Sequence, residues 1–311
     1  MALGFVFPGQ GSQSVGMLKE LATDFSEVKY TFDEASEALD LDLWQLTQDG
    51  PEERLNQTQN TQPAMLAAGV AVWRVWQNKE GAAASIMAGH SLGEYTALVC
   101  AGAISFSDAV SLVADRGRYM QEAVPVGQGG MAAIIGLDDD AVAAVCEKAA
   151  EGDVLCPVNY NAPGQVVIAG TRGAVDRAIF ISKEAGARRV LPLPVSVPSH
   201  CTLMRPAADR IRERLAGIDI AIPDIPVLHN VHITAESSAD GIRDALVRQI
   251  ESPVRWVGTI DKMVNDGTTT FIECGPGKVL AGLNRRINKA TKTWPLLDAA
   301  MLDAALTAVS K

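Results

Sequence analysis

Apolar positions along the chain fall into short unbroken runs, the mark of buried strands, and longer stretches at helical spacing. Residues 3–7 form an apolar run stopped by Pro8 and Gly9, as expected of a buried strand feeding a loop. Helical spacing follows over residues 18–46 and breaks at Gly50-Pro51. Pro63 is expected to open an Ala-rich helix over residues 64–76, since the first helical position needs no N–H. Residues 82–88 read as a second buried strand, and a helix is expected from about Leu92 to Cys100.

The middle of the chain is more regular. Strands are predicted over residues 131–137, 154–159, 165–169 and 188–193, with helices over 141–150 and 174–185. Asp138 to Asp140 supply a cap for the first of these helices, and Pro163-Gly164 a turn between the second and third strands. That order, βαββαβ, is the ferredoxin-like arrangement, a compact unit by itself. Helix and strand patterns resume over residues 211–215, 225–228, 242–250 and 269–273. The organisation expected is α/β, with a large domain over residues 1–125 and 198–311 and a small ferredoxin-like domain inserted over 126–197.

Composition narrows the function classes. Hydrophobic residues make up 48% and charged residues 21% of 311 positions, ordinary for a globular enzyme. A net charge of −10 argues against a general nucleic-acid role, which needs a basic footprint. The five cysteines show no metal-site or disulfide spacing. The start of the chain lacks a basic leader and no stretch is long enough for a membrane span, so a cytoplasmic location is expected.

Gly89-His90-Ser91-Leu92-Gly93 matches G-x-S-x-G between a predicted strand and a predicted helix, where a nucleophilic serine would be exposed on a sharp turn. The helix start at Leu92 offers free N–H groups to a developing oxyanion. A serine hydroxyl needs a base, and the chain has four histidines. His90 adjoins the serine and points away from it on such a turn. His229 and His232, three apart in an extended run, are expected to face opposite sides, which argues against a shared metal. Elimination favours His200, in Pro198-Ser199-His200-Cys201. No carboxylate partner stands out, and these residues alone leave hydrolase and transferase open. Arg116, between Asp115 and Gly117, reads by itself as an arginine on a helix surface.

Eight blocks extend the pattern. They are Phe7-Pro8-Gly9-Gln10-Gly11-Ser12-Gln13, Thr61-Gln62-Pro63-Ala64, Gly89-His90-Ser91-Leu92-Gly93-Glu94-Tyr95 and Arg116-Gly117. Met120-Gln121, Asn161-Ala162-Pro163-Gly164-Gln165, Val195-Ser196-Val197-Pro198-Ser199-His200 and Gly275-Pro276-Gly277-Lys278 complete the set. In this order they resemble the bacterial malonyl-CoA:acyl carrier protein transacylases of type II fatty acid synthesis. The resemblance implies a hydrolase-like large α/β domain with the ferredoxin-like insertion. It implies Ser91 as acylated nucleophile, His200 as base supported by the backbone carbonyl of Gln249, and an oxyanion hole of the backbone N–H groups of Gln10 and Leu92. Arg116 would bind the malonyl carboxylate, with Gln62 and His90 lining the site.

Malonyl-CoA and a transiently bound acyl carrier protein are the implied partners of a monomer that needs no metal or other cofactor. An acidic carrier protein would dock on basic residues, with Arg188, Arg189, Lys278, Arg285 and Arg286 as candidates. Two departures from the family, His229-Asn230-Val231-His232 and Phe180-Ile181-Ser182, are expected to affect local packing only. The rival readings are a serine hydrolase such as a thioesterase, a malonyl transferase of malonate decarboxylation or polyketide synthesis, and an idle carrier-protein-binding scaffold.

Overall fold

The computed structural model describes residues 2–195 and 197–310; Met1, Lys311 and Ser196, the last within one of the eight blocks, lie outside the described residues. The strands are β1 (Ala2–Phe7), β2 (Ile86–Gly89), β3 (Gly129–Ile135), β4 (Leu155–Ala162), β5 (Gln165–Thr171), β6 (Arg189–Pro192), β7 (Val227–Leu228), β8 (Thr268–Glu273) and β9 (Lys292–Pro295). Among the described residues they form two sheets. One is parallel in the order β7-β2-β1-β8-β9, and the other antiparallel in the order β4-β5-β3-β6.

The parallel sheet is buried on both faces, which is why its strands read as continuous apolar runs. Leu3, Phe5, Phe7, Met87 and Ile272 join one core, and Val6, Ala88 and Phe271 the opposite one. The first core includes the long helix Thr58–Asn78 and the helices Leu92–Cys100 and Phe106–Ala123. Register fixes what happens at the sheet's edge. Phe7 lies opposite Gly89, and Ala88 opposite Leu228, so the loops leaving β1, β2 and β7 emerge side by side. Carboxyl ends of parallel strands are where such sheets place their ligand crevices.

The antiparallel sheet alternates with period two. Ala132, Ile134, Val166 and Ile168 pack on the helices Asp139–Ala150 and Arg172–Glu184. Their neighbours Met131, Ala133, Val167 and Ala169 face the other way, against Cys201 and Leu203. Asp138 caps the first helix by accepting the Ala141 N–H at 2.8 Å. The Tyr160 N–H donates to Val254 O and the Val254 N–H to Val158 O, joining β4 to the chain segment after residue 250.

Two local expectations are corrected. Pro63 lies inside its helix, which begins at Thr58. Asn60 Nδ2 donates to Arg54 O and Thr61 Oγ1 to Leu55 O, so the helix is anchored ahead of the proline, which forfeits one internal N–H. His229 and His232 lie in a tight turn past β7, closed by the Ile233 N–H donating to His229 O, and not in an extended run. Their rings therefore come within 5.7 Å of each other instead of facing opposite sides.

Candidate active site

Ser91 ends the β2 turn with φ 51° and ψ −108°, a conformation unfavourable for a residue with a Cβ. The flanking glycines allow it. A Cβ on Gly89 would stand 1.8 Å from the Gly93 carbonyl carbon, and one on Gly93 would stand 2.0 Å from Phe7 O. Strand, turn and helix therefore close on each other only with hydrogen at both positions.

The Ser91 hydroxyl meets His200 Nε2 at 2.7 Å. His200 Nδ1 lies 2.8 Å from the main-chain carbonyl of Gln249, which can only accept, so Nδ1 carries the proton and Nε2 presents its lone pair to the serine. The backbone N–H of His200 donates to Ile250 O, and its φ of 66° aims the ring into the cleft. Burial, and next the positive charge of Arg116, hold the imidazole down at about 3, so it is neutral at ordinary pH.

Arg116 projects from the helix Phe106–Ala123 and is 1% exposed. Nη1 donates to Gln62 Oε1 at 2.7 Å, while Nη2 donates to Gln249 Oε1 at 3.0 Å and to Ser91 Oγ at 3.3 Å. The Tyr95 ring centroid lies 5.2 Å from the guanidinium carbon. Two neutral amide oxygens orient the guanidinium and leave its charge available. Nε has no protein partner among the described residues.

The cleft is lined by Gln10, Ser91, Leu92, Arg116 and His200 on one side. Met131, Asn159, Leu193 and Val195, from and around the antiparallel sheet, line the other. Leu92 opens its helix and Gln10 sits in the loop after β1, so the two backbones approach the cleft from neighbouring turns. His90 also lines the cleft, and its Nε2 lies 2.7 Å from Asn161 Oδ1.

Comparison with known proteins is decisive. Residues 4–295 match the family described as acyl transferase domain. The malonyl CoA-acyl carrier protein transacylase of Salmonella typhimurium is 58% identical over 303 residues, covering 97% of this chain and 98% of the relative. This chain belongs to the malonyl-CoA–acyl carrier protein transacylase family. The Bacillus subtilis transacylase is 45% identical over 98% of this chain and 96% of its own length. The Coxiella burnetii transacylase structure superposes with a TM-score of 0.99, at 50% identity over 100% of this chain and 98% of that one. A malonyl-transacylase solved in complex with a type II polyketide synthase acyl-carrier protein gives 0.98, at 54% identity over 99% and 100% of the two chains.

Within this transacylase the structure brings Ser91, His200, Arg116, Gln62 and the Gln249 carbonyl into one hydrogen-bonded set. It also ties in residues that sequence reasoning left aside. Asn230 Oδ1 accepts the Ser91 N–H at 2.8 Å, and its Nδ2 donates to Gly89 O at 2.7 Å. The 229–232 run, expected to affect packing only, is therefore bonded directly to the serine turn. Glu94, quoted as part of a block, proves to be buried beneath that turn. A carboxylate three residues after the serine, on an otherwise uncharged helix, was the available signal.

Proposed function

We propose that Ser91 carries the malonyl group between coenzyme A and the phosphopantetheine thiol of an acyl carrier protein, in fatty acid biosynthesis. His200 acts as the base and Arg116 as the carboxylate clamp. The observation that carries this reading is the convergence on one hydroxyl of a neutral imidazole at 2.7 Å and a buried guanidinium at 3.3 Å. A hydrolase acting on neutral acyl groups has no use for that guanidinium. Malonyl ends in a carboxylate, which an arginine fork binds through two parallel hydrogen bonds.

His200 Nε2 takes the serine proton as Oγ attacks the thioester carbonyl. The resulting oxyanion is held by the backbone N–H groups of Gln10 and Leu92. Collapse of the tetrahedral species expels coenzyme A as a thiol, protonated by His200, and leaves a malonyl-serine ester. The carrier-protein thiol then gives its proton to His200 and attacks the ester, and Ser91 leaves as its Oγ takes that proton back from His200. When the malonyl carboxylate pairs with Arg116, it offsets one of the two main influences that hold His200 low, so the substrate strengthens its own base.

The carrier protein docks, on this reading, over exposed Arg188, Arg189, Lys278, Arg285 and Arg286. The related transacylase solved with an acyl-carrier protein supports such a complex. Two units, over residues 1–125 with 198–311 and over 126–197, fit the division into two sheets. Five free cysteines suit a reducing cytoplasm.

Intact mass after brief mixing with malonyl-CoA or acetyl-CoA tests the chemistry. A malonyl adduct on the wild type, absent in Ser91→Ala and weakened in Arg116→Ala, is expected. Free malonate without a lasting adduct would favour the hydrolase reading, and an adduct surviving Ser91→Ala would mean another nucleophile.

A further inference from the structure

Beneath the serine turn lies an acid that the transfer steps do not use. Glu94, in the first turn of the helix Leu92–Cys100, is 0% exposed. A buried carboxylate is costly unless donors surround it. Here His229 Nδ1 lies 2.7 Å from Oε1, while the Asn230 N–H and Gln249 Nε2 reach Oε2 at 2.9 and 2.8 Å. Both Asn230 and Gln249 reach onward to the reacting groups. Asn230 holds the Ser91 N–H and Gly89 O. The Gln249 side chain bonds Arg116 through Oε1 and Ser91 O through Nε2, and its main-chain carbonyl holds His200.

We propose that Glu94 is a positioning residue that sets the malonyl selectivity of the site by fixing the amide of Gln249 against Arg116. A carboxylate only accepts hydrogen bonds, so Gln249 must turn its amide nitrogen toward Glu94 and its oxygen toward the guanidinium. Arg116 is then seated by neutral oxygens of Gln62 and Gln249, and its charge stays free for the substrate. A carboxylate in the place of Gln249 Oε1 would fill the guanidinium fork with an internal ion pair. Glu94 stands one side chain further back, where it orients the clamp without occupying it. The same amide touches Ser91 O, so the setting of the clamp is shared with the serine turn.

The inference rests on Arg116 being the clamp, and the test separates the two. Rates of acylation by malonyl-CoA and acetyl-CoA are measured for Glu94→Met, Glu94→Gln, Gln249→Met and Arg116→Ala, with thermal midpoints alongside. Methionine fills the space of Glu94 without an acceptor, and Glu94→Met is expected to narrow the malonyl-to-acetyl ratio about tenfold. Glutamine keeps an oxygen for Asn230 and Gln249, with His229 able to meet its amide nitrogen by carrying the proton on Nε2. Glu94→Gln is therefore expected to restore the ratio to within about twofold of wild type. Gln249→Met retains the carbonyl that holds His200 and is expected to narrow the ratio as Glu94→Met does; it serves as the test if Glu94→Met fails to fold.

A purely structural Glu94 would lower the thermal midpoint and slow both acyl donors alike. Wild-type ratios in Glu94→Met or Gln249→Met, with a collapsed ratio in Arg116→Ala, would overturn the role of Glu94 alone. An unchanged ratio in Arg116→Ala would overturn the clamp and this inference together.

Discussion

The parallel sheet brings hydroxyl, guanidinium and amide groups to the cleft from the loops and helices around its strands, whereas the antiparallel sheet and its flanks offer it mainly apolar side chains, Met131, Leu193 and Val195, with the amide of Asn159. The difference follows from where each sheet meets the site. Beyond β1, β2 and β7 the chain leaves the parallel ladder within a residue or so, and side chains and N–H groups of these turns can face the cleft. The antiparallel sheet meets the cleft with one of its faces. Period-two alternation gives each face largely one character, and here both faces are mainly apolar, with Asn159 of β4 a polar exception in the cleft. One side of the cleft therefore carries most of its polar groups, and the other is mainly apolar.

Four variants would break or sharpen that contrast. The largest effect is expected from His200→Ala, which should slow malonyl transfer about 10³-fold by removing the base; single-turnover acylation followed by intact mass would show it. Arg116→Ala should reduce kcat/KM for malonyl-CoA some hundreds-fold, on the order of the 3–5 kcal/mol cost of an unpaired buried charge. Its pH profile carries a second sign. Arg116 helps hold His200 at about 3, so without it the imidazole gains a proton more readily and the acid limb of kcat/KM moves to higher pH.

On the other side of the cleft, Ile134→Ala should cost about 2–5 kcal/mol of stability in chemical denaturation, through the cavity it leaves against the sheet's helices. Its acylation rate at saturating malonyl-CoA should change less than about threefold, since Ile134 faces away from the cleft. A loss there as large as that of His200→Ala would break the division of labour. The smallest effect is expected from reversing the charge of Arg285 and Arg286, which should raise the carrier-protein KM about threefold at low salt and leave acylation by malonyl-CoA unchanged. Steady-state kinetics against salt would check it, and an unchanged KM would place the docking surface elsewhere.

Much of the fold was legible because its signals are local. Ala132 and Met131 fall on opposite faces of one strand, and that alternation is written in the sequence of β3. The serine turn was legible too, since few residues besides glycine permit the approaches made by Gly89 and Gly93. Arg116 was not legible from its own neighbourhood. Asp115 and Arg118 pair on the surface, as the bland reading of that stretch expects. One residue along a helix is a rotation of about 100°, and that turns Arg116 inward to Gln62 and Ser91. Only the family resemblance pointed to it.

The sequence alone determined many of the strands and helices, the βαββαβ order, and the sharp turn that carries Ser91, but it did not mark out the helix Phe106–Ala123 or the strand Lys292–Pro295. Steric limits and hydrophobic periodicity act over a few residues, and every residue involved is visible in order. Tertiary structure alone decided what meets that serine. Residues 116, 200, 230 and 249 converge there from distant parts of the chain. The support of His200 comes from a main-chain carbonyl, a group every residue has, so no side chain announces it. Only the register of parallel strands and the packing of helices on them could select that one.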